Sequence, residues 1–178
     1  REAGYHAVAF PVALTDTDLK AVFGSDVETF TFEGMSGNTA WFKPSTQTEF
    51  AAGMPILVKT YAPSQRVVLE AAREVSNVAN KIDKEGYSFE ATYAPRALAA
   101  GEFTLSEQNW KPNNESPETP AALSNEIPTV RAYQAVLRAQ SPENAPESIS
   151  FVTSDNNPVG IEGMDMENEE AVIYNLQG

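Results

Sequence analysis

Two tryptophans, Trp41 and Trp110, are the side chains best suited to hold a ligand. An indole is flat and amphipathic, so its face can stack on the apolar side of a pyranose while its N–H donates a hydrogen bond. Trp41 alternates with Phe42 along an extended run, and only one of the two can face the main core. Trp110 stands beside a Pro/Asn-rich stretch of the kind on which ligand contacts are mounted; packing into the core is the competing reading for both rings. Two oxygen-rich clusters, Thr15-Asp16-Thr17-Asp18 and Ser154-Asp155-Asn156-Asn157, could offer Ca²⁺ hard donors from a short segment. Neither has the glycine and bidentate glutamate of an EF-hand loop. The first reads as a helix cap and the second as a polar turn. Binding of Ca²⁺ at Asp16, Asp18 or Asp155 therefore stays open, and no metal site is assigned.

The remaining reactive inventory is thin. Without cysteine there can be no disulfide, thiolate metal site, iron–sulfur cluster or thiol nucleophile. The single histidine, His6, has no second histidine with which to share a metal and no G-x-S-x-G serine to serve, so it reads as an ordinary strand residue. Gly34 to Gly37 lacks a following Lys-Ser/Thr and is not a phosphate loop. Carboxylate pairs for glycoside hydrolysis can be drawn at will from 25 acids, but that chemistry needs a set separation and one raised pKa, which spacing alone does not define. No catalytic residue and no cofactor is assigned, and a non-enzymatic role is expected.

The elements that must position these residues are mostly short extended runs bounded by turn chemistry. Tyr5 to Leu14 opens the series, with Pro11 marking an edge or a bulge. Thr15 to Asp18, then Leu19, Ala21, Val22 and Phe23, then Gly24, spell an N-cap, an acidic first turn and a glycine stop on a helix of about two turns. Val27 to Glu33 and Thr39 to Lys43 flank the glycine-rich loop Gly34 to Asn38 as an antiparallel hairpin, with Phe30 and Phe32 sharing one face and Ala40 sharing a face with Phe42. Pro55 to Tyr61, Tyr87 to Tyr93, Glu102 to Leu105, Thr129 to Arg138 and Ser148 to Thr153 read as further strands. Gln65 to Val78 fits both helical and alternating spacing and leans to strand at its ends. Lys111 to Pro120 reads as an exposed loop. The total is about nine or ten strands and one brief helix, with no repeat.

A chain of 178 residues with 42% hydrophobic content can bury a real core. Its net charge of −13 repels phosphate backbones, which argues against nucleic acid as a partner. The acidity is regional: 9 basic and 12 acidic residues up to Gly101, 3 and 13 after it. In the acidic part, Arg131 and Arg138 are expected to neutralise nearby carboxylates. No apolar run approaches the roughly 20 residues of a membrane span, and no signal-peptide pattern opens the chain. Arg1, in place of an initiator methionine, suggests a mature or excised piece of a longer product.

Four landmarks then occur in order. Ala7-Val8-Ala9-Phe10-Pro11-Val12 resembles an "LPF" opening strand, and Phe23-Gly24-Ser25-Asp26-Val27 an "FG-D" step after a short helix. Ala52-Gly53-Met54-Pro55-Ile56-Leu57-Val58-Lys59 resembles an "AG-PYLIK" strand, and Arg131-Ala132-Tyr133 a "RAY" strand. Together they resemble β-rich modules common in exported proteins of Bacteroides and Prevotella, although the Tyr of "PYL" is Ile56 here and the opening Leu is Ala9. Val172 to Gly178 resembles the start of the "VYNLxGQ" tail of many such proteins. The resemblance implies export and a sorting or surface-attachment tail. It carries over no catalytic residue.

The combined expectation is an all-β fold, a β-sandwich with one short helix near residues 16–23. Residues 1–161 would form one module, or two packed halves meeting near 80–86; residues 162–178 would form an acidic connector and truncated tail. The expected role is a non-catalytic interaction or spacer module at the bacterial surface, contacting a host or bacterial surface protein. The alternative is a carbohydrate-binding module that uses exposed aromatic residues.

Overall fold

A computed structural model describes residues 3–68, 72–106, 109–112, 129–130 and 133–154. The first extended run divides where Phe10-Pro11 turns the chain, giving β1 (Gly4–Val8) and β2 (Leu14–Thr15) in place of one strand. Helix α1 (Asp16–Phe23) follows at once. Thr15 caps it reciprocally: Asp18 N–H donates to Thr15 Oγ1 at 3.2 Å, and Thr15 N–H donates to Asp18 Oδ2 at 2.7 Å. At the other end Gly24 N–H donates to the Lys20 carbonyl.

β3 (Glu28–Ser36) and β4 (Thr39–Pro44) form the expected hairpin, with a tighter turn. A bulge between Phe32 and Gly34 absorbs Glu33, so the strand continues to Ser36 and only Gly37-Asn38 make the turn. The positive φ of 56° at Gly37 suits a first turn position that a side chain would strain. β5 (Glu49–Phe50) pairs with β2, and β6 (Ile56–Thr60) carries an unbroken buried run, Ile56-Leu57-Val58, as a strand covered on both faces must. The second part of the chain supplies β7 (Lys81–Lys84), β8 (Tyr87–Thr92), β9 (Arg96–Ala97), β10 (Glu102–Ser106), β11 (Asn109–Pro112), β12 (Thr129–Val130), β13 (Gln134–Ala139), a 3₁₀ turn at Pro142–Asn144 and β14 (Ser150–Thr153). The described residues thus hold fourteen strands, four of them only two residues long.

Ten strands join in one mixed sheet, and β2–β5 and β9–β12 form two small pairs. β1, β6, β3, β4 and β14 lie side by side; β14 returns from the far end of the chain to run parallel to β4. β7, β8, β13, β10 and β11 form the other part. The hinge is β13: one edge runs along β8, while the other is shared between β1 at Gln134 and β10 at Leu137 and Arg138. The inner faces meet in one core, in which Phe89 of β8 lies 6.0 Å from Phe32 and 5.4 Å from Phe42, ring centre to ring centre. Fully buried rings of this size contribute about 2–3 kcal/mol each. The fold is accordingly all-β and sandwich-like, with one short helix.

A second cluster covers the outer face of β1 and β6, where Leu19 and Phe23 of α1 gather with Val8, Ile56 and Val58. Among the described residues no helix is long and apolar enough to cross a membrane. The stretch Gln65–Val78 is neither helix nor strand at any described position. Of the exposed loop expected at Lys111–Pro120, Lys111 and Pro112 belong to β11 instead, and the rest lies outside the described residues. The same is true of Arg131 and of the segment from Asp155 to Gly178, which includes the expected acidic connector and tail.

Candidate functional site

Alternation along β4 sends Phe42 into the core and leaves Trp41 half-buried on the opposite face. The Trp41 neighbour on β3 is Gly34 and on β14 Val152, and its indole N–H is already donated to the Ser154 carbonyl at 2.9 Å. Trp110 lies on β11 opposite Leu105 of β10; its ring falls outside the described part of the structure. His6 sits on β1 with Nε2 3.4 Å from Thr60 Oγ1.

The carboxylates of the first oxygen-rich cluster are both engaged. Asp16 pairs with Lys20 at 2.6 Å, one helical turn on. Asp18 holds the cap and also accepts from Arg73 Nη2 at 2.9 Å. The Thr15 N–H is the main influence holding its carboxyl below the usual aspartate range; burial opposes this, and Arg73 reinforces it. Among the described residues no three His, Asp or Glu side chains gather as a metal ion would require. Asp155 lies outside them.

The most unusual surface was not singled out by residue type. Between the end of β6 at Thr60 and the start of β7 at Lys81 the chain runs for about twenty residues as a strap. The described parts of this strap lack regular structure, yet they are fastened at several points. Gln65 N–H donates to the Val22 carbonyl at 2.8 Å, Ser76 N–H to Pro11 at 2.7 Å, and Asn80 N–H to Gly53 at 3.1 Å. Arg73 Nη1 donates to the Ala13 carbonyl at 2.7 Å, and Tyr93 Oη to the Val78 carbonyl at 3.1 Å. The approach to Gly53 is close: φ is +78°, and a Cβ there would stand 2.3 Å from the Val78 carbonyl oxygen. A cleft of about 570 Å³ lies beside the strap, lined by Ala13, Ala52, Arg73, Glu74 and Ser76.

Although its backbone is held, the strap turns large apolar groups outward: Val68 is 85% exposed, Val75 70% and Val78 61%. Tyr133, 46% exposed, lies next to it, its ring 6.2 Å from that of Tyr93. Tyr133 also has a positive φ of 61°, a strained backbone state for a residue with a side chain. Spacing could not have found this surface, because Val67, Val68, Val75 and Val78 fit a helical period as well as they fit irregular chain.

A second exposed group stands at the root of the strap. Tyr5, Lys59 and Glu28 are register partners across β1, β6 and β3. Lys59 Nζ lies 5.7 Å from the Tyr5 ring centre and 4.9 Å from that of Tyr61. Hydrogen bonding to Tyr61 is the largest influence holding the Lys59 ammonium above the usual lysine range. Tyr61 donates a short hydrogen bond to Glu28 Oε1.

Architecture thus places the chain in a class, an all-β sandwich-like domain with one capped helix and a fastened strap. No protein-family model, no curated protein and no solved structure matches it.

Proposed function

We propose that this chain is a non-catalytic interaction module of an exported bacterial surface protein, adhering to a host or bacterial surface protein through the strap and Tyr133. The observation that carries this reading is the exposure of Val68, Val75 and Val78 on a segment whose backbone is tied down at both ends. An irregular connection of such length is uncommon within a compact domain and is typically functional. Apolar side chains held in water on a fastened backbone lose less freedom on binding than those of a loose loop, which favours a preformed contact surface. With a net charge of −13, the chain suits a neutral or basic partner better than an acidic one.

Support for the exported address comes from the four landmarks. Those within the described residues occupy demanding positions: the turn after β1, the end of α1, and the close approach at Gly53 that leads into β6. The test is binding of the purified chain to a panel of extracellular-matrix and bacterial surface proteins. A partner at micromolar affinity is expected; its absence across the panel would count against the reading.

A further inference from the structure

We infer that the rim formed by Tyr5, Glu28, Lys59 and Tyr61 is a binding site for neutral saccharides, with a pyranose stacked on the Tyr61 face turned away from Lys59 and a hydroxyl held by Glu28. The site is built by strand register. Tyr5, Lys59 and Glu28 follow one another across three adjacent strands, and Tyr61, just past the end of β6, lies beside them with Lys59 Nζ over its ring. Its base is rigid, because the Tyr5 ring packs edge-on against Phe151 at 4.9 Å and tilted against Phe30 at 6.1 Å. Tyr61, by contrast, is 54% exposed. Away from Lys59 it offers solvent one face of a flat amphipathic ring, its hydroxyl donating to Glu28.

The charges select the ligand class. Lys59 Nζ stands between the two tyrosine rings, so a foreign cation seeking an aromatic cage finds that place taken by the protein's own ammonium. An anion would meet the Glu28 carboxylate 4.0 Å from that ammonium and a chain of charge −13. An uncharged ligand avoids both conflicts, and its hydroxyls can donate to the Glu28 carboxylate beside the Tyr61 ring. The site does not use Val68, Val75, Val78 or Tyr133, so the protein contact proposed above can fail while this one stands.

The test is an array of oligosaccharides built from mannose, galactose, glucose and N-acetylglucosamine, alongside sialylated and sulfated glycans, followed by calorimetric titration of the hits. Binding to neutral glycans is expected, weakened roughly tenfold or more by Tyr61→Ala and by Glu28→Ala, and changed less than about threefold by Tyr61→Phe, which keeps the ring. Amide shifts in the wild-type chain on titration should centre on residues 5, 28, 59 and 61, a readout that needs no variant to fold. The inference is overturned if no neutral glycan binds, if only charged glycans bind, if Tyr61→Ala binds as well as wild type, or if the shifts centre elsewhere.

Discussion

Replacing Glu102 by Gln probes how the outer face of the second group of strands is held together. Glu102 is only 2% exposed and opens β10 opposite Arg138. Three donors converge on its two oxygens: Arg96 Nη1 at 2.5 Å and Ala99 N–H at 2.7 Å on Oε2, and Arg96 Nη2 at 2.8 Å on Oε1. A glutamine keeps the shape but offers one acceptor and one NH₂, so at least one guanidinium N–H must face another donor. A charge-assisted hydrogen bond is worth about 1.5–3 kcal/mol, and breaking a buried pair costs about 3–5 kcal/mol. Arg96 is partly exposed and can rehydrate; discounting for that, Glu102→Gln should cost about 2–3 kcal/mol. In a chain of this length that corresponds to a fall in Tm of about 5–10 °C.

The pH dependence has a definite sign. Burial pushes the Glu102 carboxyl up, but the Arg96 hydrogen bonds, the Ala99 N–H and the charges of Arg96 and Arg138 outweigh it, so the group ionises below its ordinary value of 4.5. A carboxyl depressed in the folded state stabilises the fold above its unfolded pKa and loses that contribution as pH falls through the folded one. Urea denaturation of wild type and variant should therefore differ fully at pH 7 and converge as pH falls from 4.5 through the lower folded value. A difference under about 0.5 kcal/mol at pH 7, or one that persists unchanged at pH 3, would refute the reasoning.

Phe42→Ala empties a site that touches Phe32, Phe89 and Phe151 and should cost about 3–5 kcal/mol in chemical denaturation. Gly53→Ala drives a Cβ into the Val78 carbonyl and should raise protease cleavage and hydrogen exchange across the strap more than in β3, β4 or β8. Thr15→Ala removes the reciprocal cap of α1 and should lower stability by about 1 kcal/mol, read from the urea midpoint.

What was legible in the sequence is what is local. The α1 boundaries followed from Thr15, Asp18 and Gly24, which act within one or two turns of each other. That Phe30 and Phe32 share a face, and Ala40 one with Phe42, followed from a period of two, which one bulge shifts but does not erase; which side of β4 turns inward did not. Pairing partners were not legible, because the return of β14 to β4 and the contact of β13 with β1 join residues more than a hundred positions apart. β7 was missed because Lys81-Ile82-Asp83-Lys84 has an edge strand's charges and almost no apolar signal. The Tyr5, Glu28, Lys59 and Tyr61 group depends on register across three strands, which no spacing along the chain displays. The strap was ambiguous because its apolar residues fit both a helix stripe and a strand face, whereas in the structure Val68, Val75 and Val78 point to water.

The most direct test of the central claim is to measure partner binding and thermal unfolding side by side for wild type and for the combined Val68→Ser, Val75→Ser and Val78→Ser variant. Because these side chains are exposed, the variant should melt within about 2 °C of wild type while binding its surface-protein partner at least tenfold more weakly. Undiminished binding by a folded variant, or a collapse of its stability, would contradict the account.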